Sequence, residues 1–212
     1  MAIKLFITGT DTGVGKTYIT AELLRIFKKM GYSTIASKPV ATDGFFKNGI
    51  LCNDDALILQ NTASIFLDYH LVNPFVFQEP IAPHIAASKI NQSLDLKKIA
   101  LETNKIFKIP SDIYIIEGIG GWHVPLNQFE TMADFVMHFN LSVILVVGIK
   151  LGCLNHAILT AHAIIQSGLK LAGWIANFPS PDVAQSSDII DALKKWIDAP
   201  CLGVVEHNEK QF

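Results

Sequence analysis

The stretch IKLFITGTDTGVGKT, residues 3 to 17, constrains the fold more than anything else in the chain. A β-favouring apolar run leads directly into a glycine-rich turn that ends Gly-Lys-Thr. A strand, a loop and a helix start in that order let backbone N–H groups and a helix N-terminus converge on phosphate oxygens. Gly13 and Gly15 allow close approach of the main chain, Lys16 is placed for the β and γ phosphates, and the Thr17 hydroxyl is placed for magnesium. The nucleotide is expected to lie against Gly13, Val14, Gly15, Lys16, Thr17 and Tyr18. The spacing is unusual. Five residues separate Gly9 from Gly15 where the common pattern has four, and Thr10 stands where the first glycine is expected.

Further β-rich runs recur at residues 33 to 37, 113 to 118, 142 to 148, 171 to 177 and 201 to 205. Segments of helical spacing lie between them: Ile19, Leu23, Ile26, Phe27 and Met30 form one expected face, and Ile158, Ala161, Ile164 and Ile165 another. Near-continuous apolar strands alternating with helices predict an α/β fold of the P-loop NTPase-like kind, a mostly parallel β-sheet with helices on both faces. Residues 1–212 are expected to form a single domain. Ligands of such sheets bind beyond the carboxyl ends of the strands, and the segments GTDTGVGKT, KPVAT, EGIGGW and IKLGCLNH all follow strands. The prolines Pro74, Pro80 and Pro83 predict an ordered connection before a helix starting near His84.

The balance of 17 basic and 19 acidic residues, with no basic run beyond a pair, gives no electrostatic footprint for nucleic acid or anionic lipid. No apolar stretch approaches the roughly 20 residues that span a bilayer, and the N-terminal run, broken by Lys4, reads as a strand and not as a signal peptide. Cys52, Cys153 and Cys201 are widely spaced and odd in number, which points to reduced thiols and a cytoplasmic location. The seven histidines have no metal-ligand spacing, and no Ser-His-Asp arrangement is evident.

Magnesium needs hard oxygen ligands beyond Thr17. Glu117, ending the third strand run, and Asp55, in NDDALILQ, are the candidate carboxylates. Asp54 and Asp55 also stand where a helix can start, so N-terminal capping is the alternative use for either. Lys38, in SKPVAT, is a cation at a strand end; it is either solvated or aimed at the transferred phosphate.

Taken together, GTDTGVGKT with its extra residue, KPVAT, NDDALILQ, VNPFVFQEPIAPHIAA, EGIGGW, ILVVGIKLGCLNHAILTA and LAGWIAN resemble the dethiobiotin synthetase family over most of residues 3 to 177. The resemblance implies an ATP- and magnesium-dependent cyclo-ligase of biotin biosynthesis, which closes a ureido ring on 7,8-diaminononanoate with CO2. It implies catalytic roles for Lys38, Lys16 and Thr12, and magnesium on Thr17, Asp55 and Glu117. It further implies nucleotide contacts from Gly118, Ile119 and Gly120, with adenine read by Asn177. Thr12, Lys38, Thr42 and Gly120 would meet the diamine or its carbamate. The backbone of Leu151, Gly152 and Cys153, with Asn155, would hold the substrate carboxylate across a homodimer interface. Gly13 departs from members that carry an acid there, and GVVEHN with the end at Phe212 departs from the family's adenine segment, so weak base discrimination is expected. Two alternatives share the scaffold. A cobyrinate-type amide-forming synthetase usually needs a glutaminase domain, and a partitioning-type switch usually has a second lysine in the loop, which residues 9 to 15 lack.

Overall fold

A computed structural model describes residues 2 to 181 and 186 to 207; of Ser186 the main chain alone is described. The chain begins β1 (Ile3–Gly9), α1 (Lys16–Lys29), β2 (Thr34–Ser37), β3 (Val40–Ala41), β4 (Phe45–Lys47), β5 (Ile50–Cys52), α2 (Asp54–Thr62), α3 (Tyr69–Val72) and β6 (Phe75–Val76). It continues α4 (Pro83–Lys89), α5 (Leu96–Phe107), β7 (Ile113–Glu117), α6 (Met132–Phe139), β8 (Ser142–Gly148), α7 (Cys153–Gln166), β9 (Leu171–Asn177), α8 (Ser186–Trp196) and β10 (Cys201–Val205).

Six strands form one parallel sheet in the order β10-β9-β8-β1-β7-β2. The apolar runs alternate between its faces with period two. Leu5, Ile7, Ile144, Val146 and Ile175 pack with Ile19, Leu24 and Leu59 of α1 and α2. Phe6, Val143, Leu145, Val147 and Ala176 pack with residues of α6, α7 and α8 on the other side, among them Phe135, Ala161 and Leu193. Both faces are therefore covered, as near-continuous apolar strands require. Among the described residues no helix is long and apolar enough to cross a membrane.

Each of the six expected β-rich runs is a strand of this sheet. The connection from β2 to α2 holds more order than expected: β3 pairs with β6, and β4 with β5 forms a hairpin turned at Asn48–Gly49, both at positive φ. The expected face of α1 holds at Ile19, which is buried, and at Leu23 and Phe27, which pack half-buried on the same core, but needs correction at its edge. Lys16, Ile19, Thr20, Ala21 and Leu24 are its buried residues, whereas Ile26 and Met30 are 49% and 63% exposed. The line Lys16–Thr20–Leu24 rotates the packed stripe toward itself, and leaves Ile26 and Met30 off its edge at 3.6 residues per turn. In α7, Ala161 and Ile164 face the core while Ile165 is exposed.

Candidate active site

The phosphate loop starts later than its sequence implies. Gly9 still pairs with Val146 of β8, and the Thr10 N–H donates to the Val146 carbonyl at 3.0 Å. The extra residue is thus taken up by the strand ladder. From there the chain turns through Gly13 and Gly15, at φ 71° and 85°, values that favour glycine. A Cβ on Gly15 would also lie 2.2 Å from Nδ2 of Asn177, so the loop needs glycine for space as well as for conformation.

Asn177, at the end of β9, is fully buried and donates from Nδ2 to the Val14 carbonyl at 2.9 Å. Because a carbonyl only accepts, this bond fixes the orientation of the amide and leaves Oδ1 buried without a partner among the described residues. The Lys16 ammonium folds back onto the Asp11 carbonyl at 3.0 Å. Burial, reinforced by the charge of Lys38, pulls its pKa down to about 8.

Behind the loop, a charged cluster joins two strand ends and two helix starts. Glu117, fully buried at the end of β7, accepts through Oε1 from Thr17 Oγ1 at 2.8 Å and from Lys38 Nζ at 2.7 Å. Lys38, also buried, donates at 2.8 Å to Asp55 Oδ2 in the first turn of α2. Burial alone would lower the Lys38 pKa, but Glu117 and Asp55 hold it above its ordinary value. Burial would likewise raise Asp55, yet the Lys38 charge and its hydrogen bond hold it below the usual carboxylate range. The ion pair is therefore retained through neutral pH. The alternative of a solvated strand-end lysine does not hold for Lys38. Helix capping falls to Asn53, whose side chain accepts from the Ala56 N–H at 3.2 Å, so Asp55 is free of that task.

Thr17, Asp55 and Glu117 present hard oxygens to one place, and Glu117 Oε2 is buried with no hydrogen-bond partner among the described residues. A buried, unmatched carboxylate oxygen in a group with a hydroxyl and a second carboxylate fits the hard donors magnesium prefers. Groups of three or more His, Cys, Asp or Glu that could hold a metal are absent among the described residues, so any ion here relies on the threonine hydroxyl and on its nucleotide.

The segment after β7 runs alongside the loop. Gly118 donates to the Ile7 carbonyl at 2.9 Å, Ile119 packs on the core beneath, and the Cβ position at Gly120 is 3.7 Å from Thr12 Oγ1. Thr12 is exposed at the mouth, and Tyr18 packs on the core behind Val14. The Thr42 carbonyl accepts from Asn53 Nδ2 at 3.0 Å, which brings Thr42 to the start of α2. Leu151, Gly152 and Asn155 are exposed at the start of α7, and Cys153 is buried beneath them. Their neighbour Lys150 donates to Asp11 Oδ2 at 3.1 Å and so ties this segment to the phosphate loop. Asp11, Asn53, Tyr69, Asn73 and Lys150 were not among the expected site residues. Lys150 lies in a strand-end motif where it could have been noticed, but Tyr69 and Asn73 carry no local signal.

A glycine loop closing on a buried lysine-carboxylate cluster at the carboxyl ends of a parallel sheet defines a P-loop NTPase-like nucleotide enzyme. Solved structures share the fold: the septum site-determining protein MinD from Pyrococcus horikoshii OT3, complexed with Mg-ADP, matches 98% of this chain and 82% of its own with a TM-score of 0.57 and 17% identity. A ParA family ATPase from Chlorobium tepidum TLS matches 99% and 86% with a TM-score of 0.57 and 14% identity. The AAA domain family model matches residues 4–211. ATP-dependent dethiobiotin synthetase BioD 1 of Escherichia coli O157:H7 is 43% identical over 203 residues, covering 96% of this chain and 90% of that protein. BioD of Pseudescherichia vulneris is 40% identical over 205 residues, covering 97% and 85%. The chain belongs to the ATP-dependent dethiobiotin synthetase family.

Proposed function

We propose that this protein is an ATP-dependent cyclo-ligase converting 7,8-diaminononanoate, CO2 and ATP to dethiobiotin, ADP and phosphate. The observation that carries the reading beyond family membership is the buried Lys38 ammonium, braced at 2.8 and 2.7 Å by Asp55 and Glu117 beside the phosphate loop. An ammonium has three N–H groups, and two are occupied here. The third is left for the oxygens that change charge during the reaction.

One amine of the substrate adds to CO2 and loses a proton, giving a carbamate. A carbamate oxygen attacks the γ phosphorus, and ADP leaves. The second amine then attacks the carbonyl carbon of the mixed anhydride, its nitrogen loses a proton as phosphate departs, and the ureido ring closes. None of these steps needs a protein nucleophile; positioning and charge stabilisation suffice. Lys16 and the loop N–H groups from Gly13 to Thr17, with Tyr18 behind them, receive the phosphates, while Lys38 and Thr12 meet the carbamate and γ phosphate. Thr42 and Gly120 flank the diamine, and Gly118 and Ile119 line the nucleotide side. Thr17, Asp55 and Glu117 would hold magnesium, which when bound offsets charge on the triphosphate. Asn177 Oδ1 suits a donor such as the adenine amino group.

The proposed assembly is a homodimer of single-domain subunits in the cytoplasm. In support, α7 and its start expose Leu151, Leu154, Leu159 and Ile165 around Asn155, an apolar surface of the kind an isologous interface covers. Asn155 and the Leu151–Cys153 backbone would then hold the substrate carboxylate of the neighbouring site.

The test is incubation of the purified chain with diaminononanoate, labelled bicarbonate, ATP and magnesium, with the product identified by mass. Dethiobiotin carrying the label is expected. ADP release without labelled ring product would overturn the reading in favour of a nucleotide switch.

A further inference from the structure

The Lys38–Asp55 contact joins two segments that are each held from behind by the same short helix, α3. The main chain of Lys38 is gripped on both sides there. Its N–H donates to the Val72 carbonyl at 2.8 Å, and its carbonyl accepts from Asn73 Nδ2 at 2.7 Å. Asp55 depends on Asn53, whose side chain caps α2 and also holds the Thr42 carbonyl.

One hydroxyl links these two supports. Tyr69 Oη accepts from the Asn53 N–H at 2.7 Å and donates to Asn73 Oδ1 at 2.9 Å. The direction of the chain is forced, because the Asn73 amide nitrogen must face the Lys38 carbonyl and the Asn53 N–H can only donate. Asn53 and Asn73 are buried, so water does not freely replace a lost bond. The Tyr69 ring packs against the cluster of Ile35, Ala56, Leu67, Val72, Ile106 and Tyr114, which fixes where the hydroxyl sits.

We propose that Tyr69 is a positioning residue for ring closure: its hydroxyl sets the Lys38 ammonium in register with Asp55 and Thr42 while touching no reactant. This rests on the roles proposed for Lys38 and Asp55. Removing the hydroxyl leaves Lys38 and Asp55 in place but loosens the geometry between them, and a misplacement of about 1 Å can slow a positioned reaction on the order of a hundredfold.

Tyr69→Phe, Lys38→Met and the double variant test this, with dethiobiotin and ADP followed together across magnesium concentrations and a melting curve recorded for each protein. Tyr69→Phe is expected to lower kcat about tenfold or more and to raise the magnesium concentration for half-maximal rate, with ATP affinity unchanged. In the Lys38→Met background the same substitution should cost little more, because the group it positions is gone. A Tyr69→Phe enzyme with wild-type kcat and magnesium response overturns the proposal. So does an equal loss in both backgrounds, which a purely structural hydroxyl would give. If Tyr69→Phe melts below the assay temperature, the near-isosteric Asn73→Leu replaces it, since it removes the acceptor for Tyr69 and the donor to the Lys38 and Phe75 carbonyls without adding a charge. Wild-type rates and coupling there would be equally fatal. Should the wild-type chain release ADP without dethiobiotin, the cyclo-ligase reading fails, while the Tyr69 coupling is still read from ADP.

Discussion

Lys16→Met should make the nucleotide-free protein more stable as it removes the use of ATP. Lys16 is 7% exposed, and burial with the Lys38 charge pulls its pKa from 10.5 to about 8. The unfolded chain therefore binds this proton more tightly than the folded one. Below pH 8 the charged side chain costs the fold the whole difference: 10.5 minus 8 is about 2.5, which at 1.36 kcal/mol per pH unit is about 3 kcal/mol. The methionine variant loses the bond from Nζ to the Asp11 carbonyl, worth about 1 kcal/mol. A net gain of about 2 kcal/mol at pH 7 remains. The sign with pH is definite. Wild-type stability rises from about pH 8 to 10.5 as the unfolded chain gives up the proton the fold has already released, so the variant's advantage shrinks across that window and disappears above it. Urea unfolding of both proteins at pH 7, 8.5 and 10, without nucleotide or magnesium, measures the difference. A gap that does not change with pH, or a wild type more stable at pH 7, would refute the reasoning. The same physics predicts proton uptake on ATP binding near pH 8, because the triphosphate restores the charged form; calorimetry in buffers of different ionisation enthalpy would register it.

Asp55→Ala and Glu117→Ala should each lower turnover and raise the magnesium needed for half-maximal rate at least about tenfold; an unchanged magnesium titration removes that residue from the metal site. Base preference should be modest, since Asn177 offers one buried acceptor worth about 1 kcal/mol, or about fivefold in kcat/KM for ATP over GTP. A preference on the order of a thousandfold, about 4 kcal/mol, would mean that another segment completes the adenine pocket. The residues from Asn208 to Phe212, on which part of this expectation rests, lie outside the described residues. Mixing Asn155→Ala chains with Lys38→Met chains should restore part of the activity, because one site of the mixed dimer combines an intact Lys38 with an intact Asn155. Confirmed subunit exchange with no recovery would rule out Asn155 acting across the interface.

The sequence by itself determined the elements whose cause is local. The six sheet strands follow from apolar runs long enough to be buried on both faces, and the phosphate loop follows from glycines where a left-handed turn and a close approach are needed. Glu117 and Lys38 were legible as charges at strand ends, since period and composition place a strand's end without reference to the rest of the chain. What charge does there was decided only in three dimensions. Nothing local to Lys38 says that Asp55 and Glu117 will meet its ammonium, because Glu117 lies 79 residues away and comes within 2.7 Å only through the sheet order. For Asp55, helix capping stayed open beside metal ligation until Asn53 took the capping position. The edge of the α1 face was misjudged for a related reason, although Ile19, Leu23 and Phe27 do pack on the core. Periodicity defines a stripe, but the neighbouring sheet selects which side of that stripe is buried, and it chose Lys16, Thr20 and Leu24 over Ile26 and Met30. Tyr69 and Asn73 are the extreme case: their spacing of four residues is visible, but their purpose is not. A hydroxyl acquires a role from the donors and acceptors that tertiary packing brings to it, and those come from residues 38 and 53.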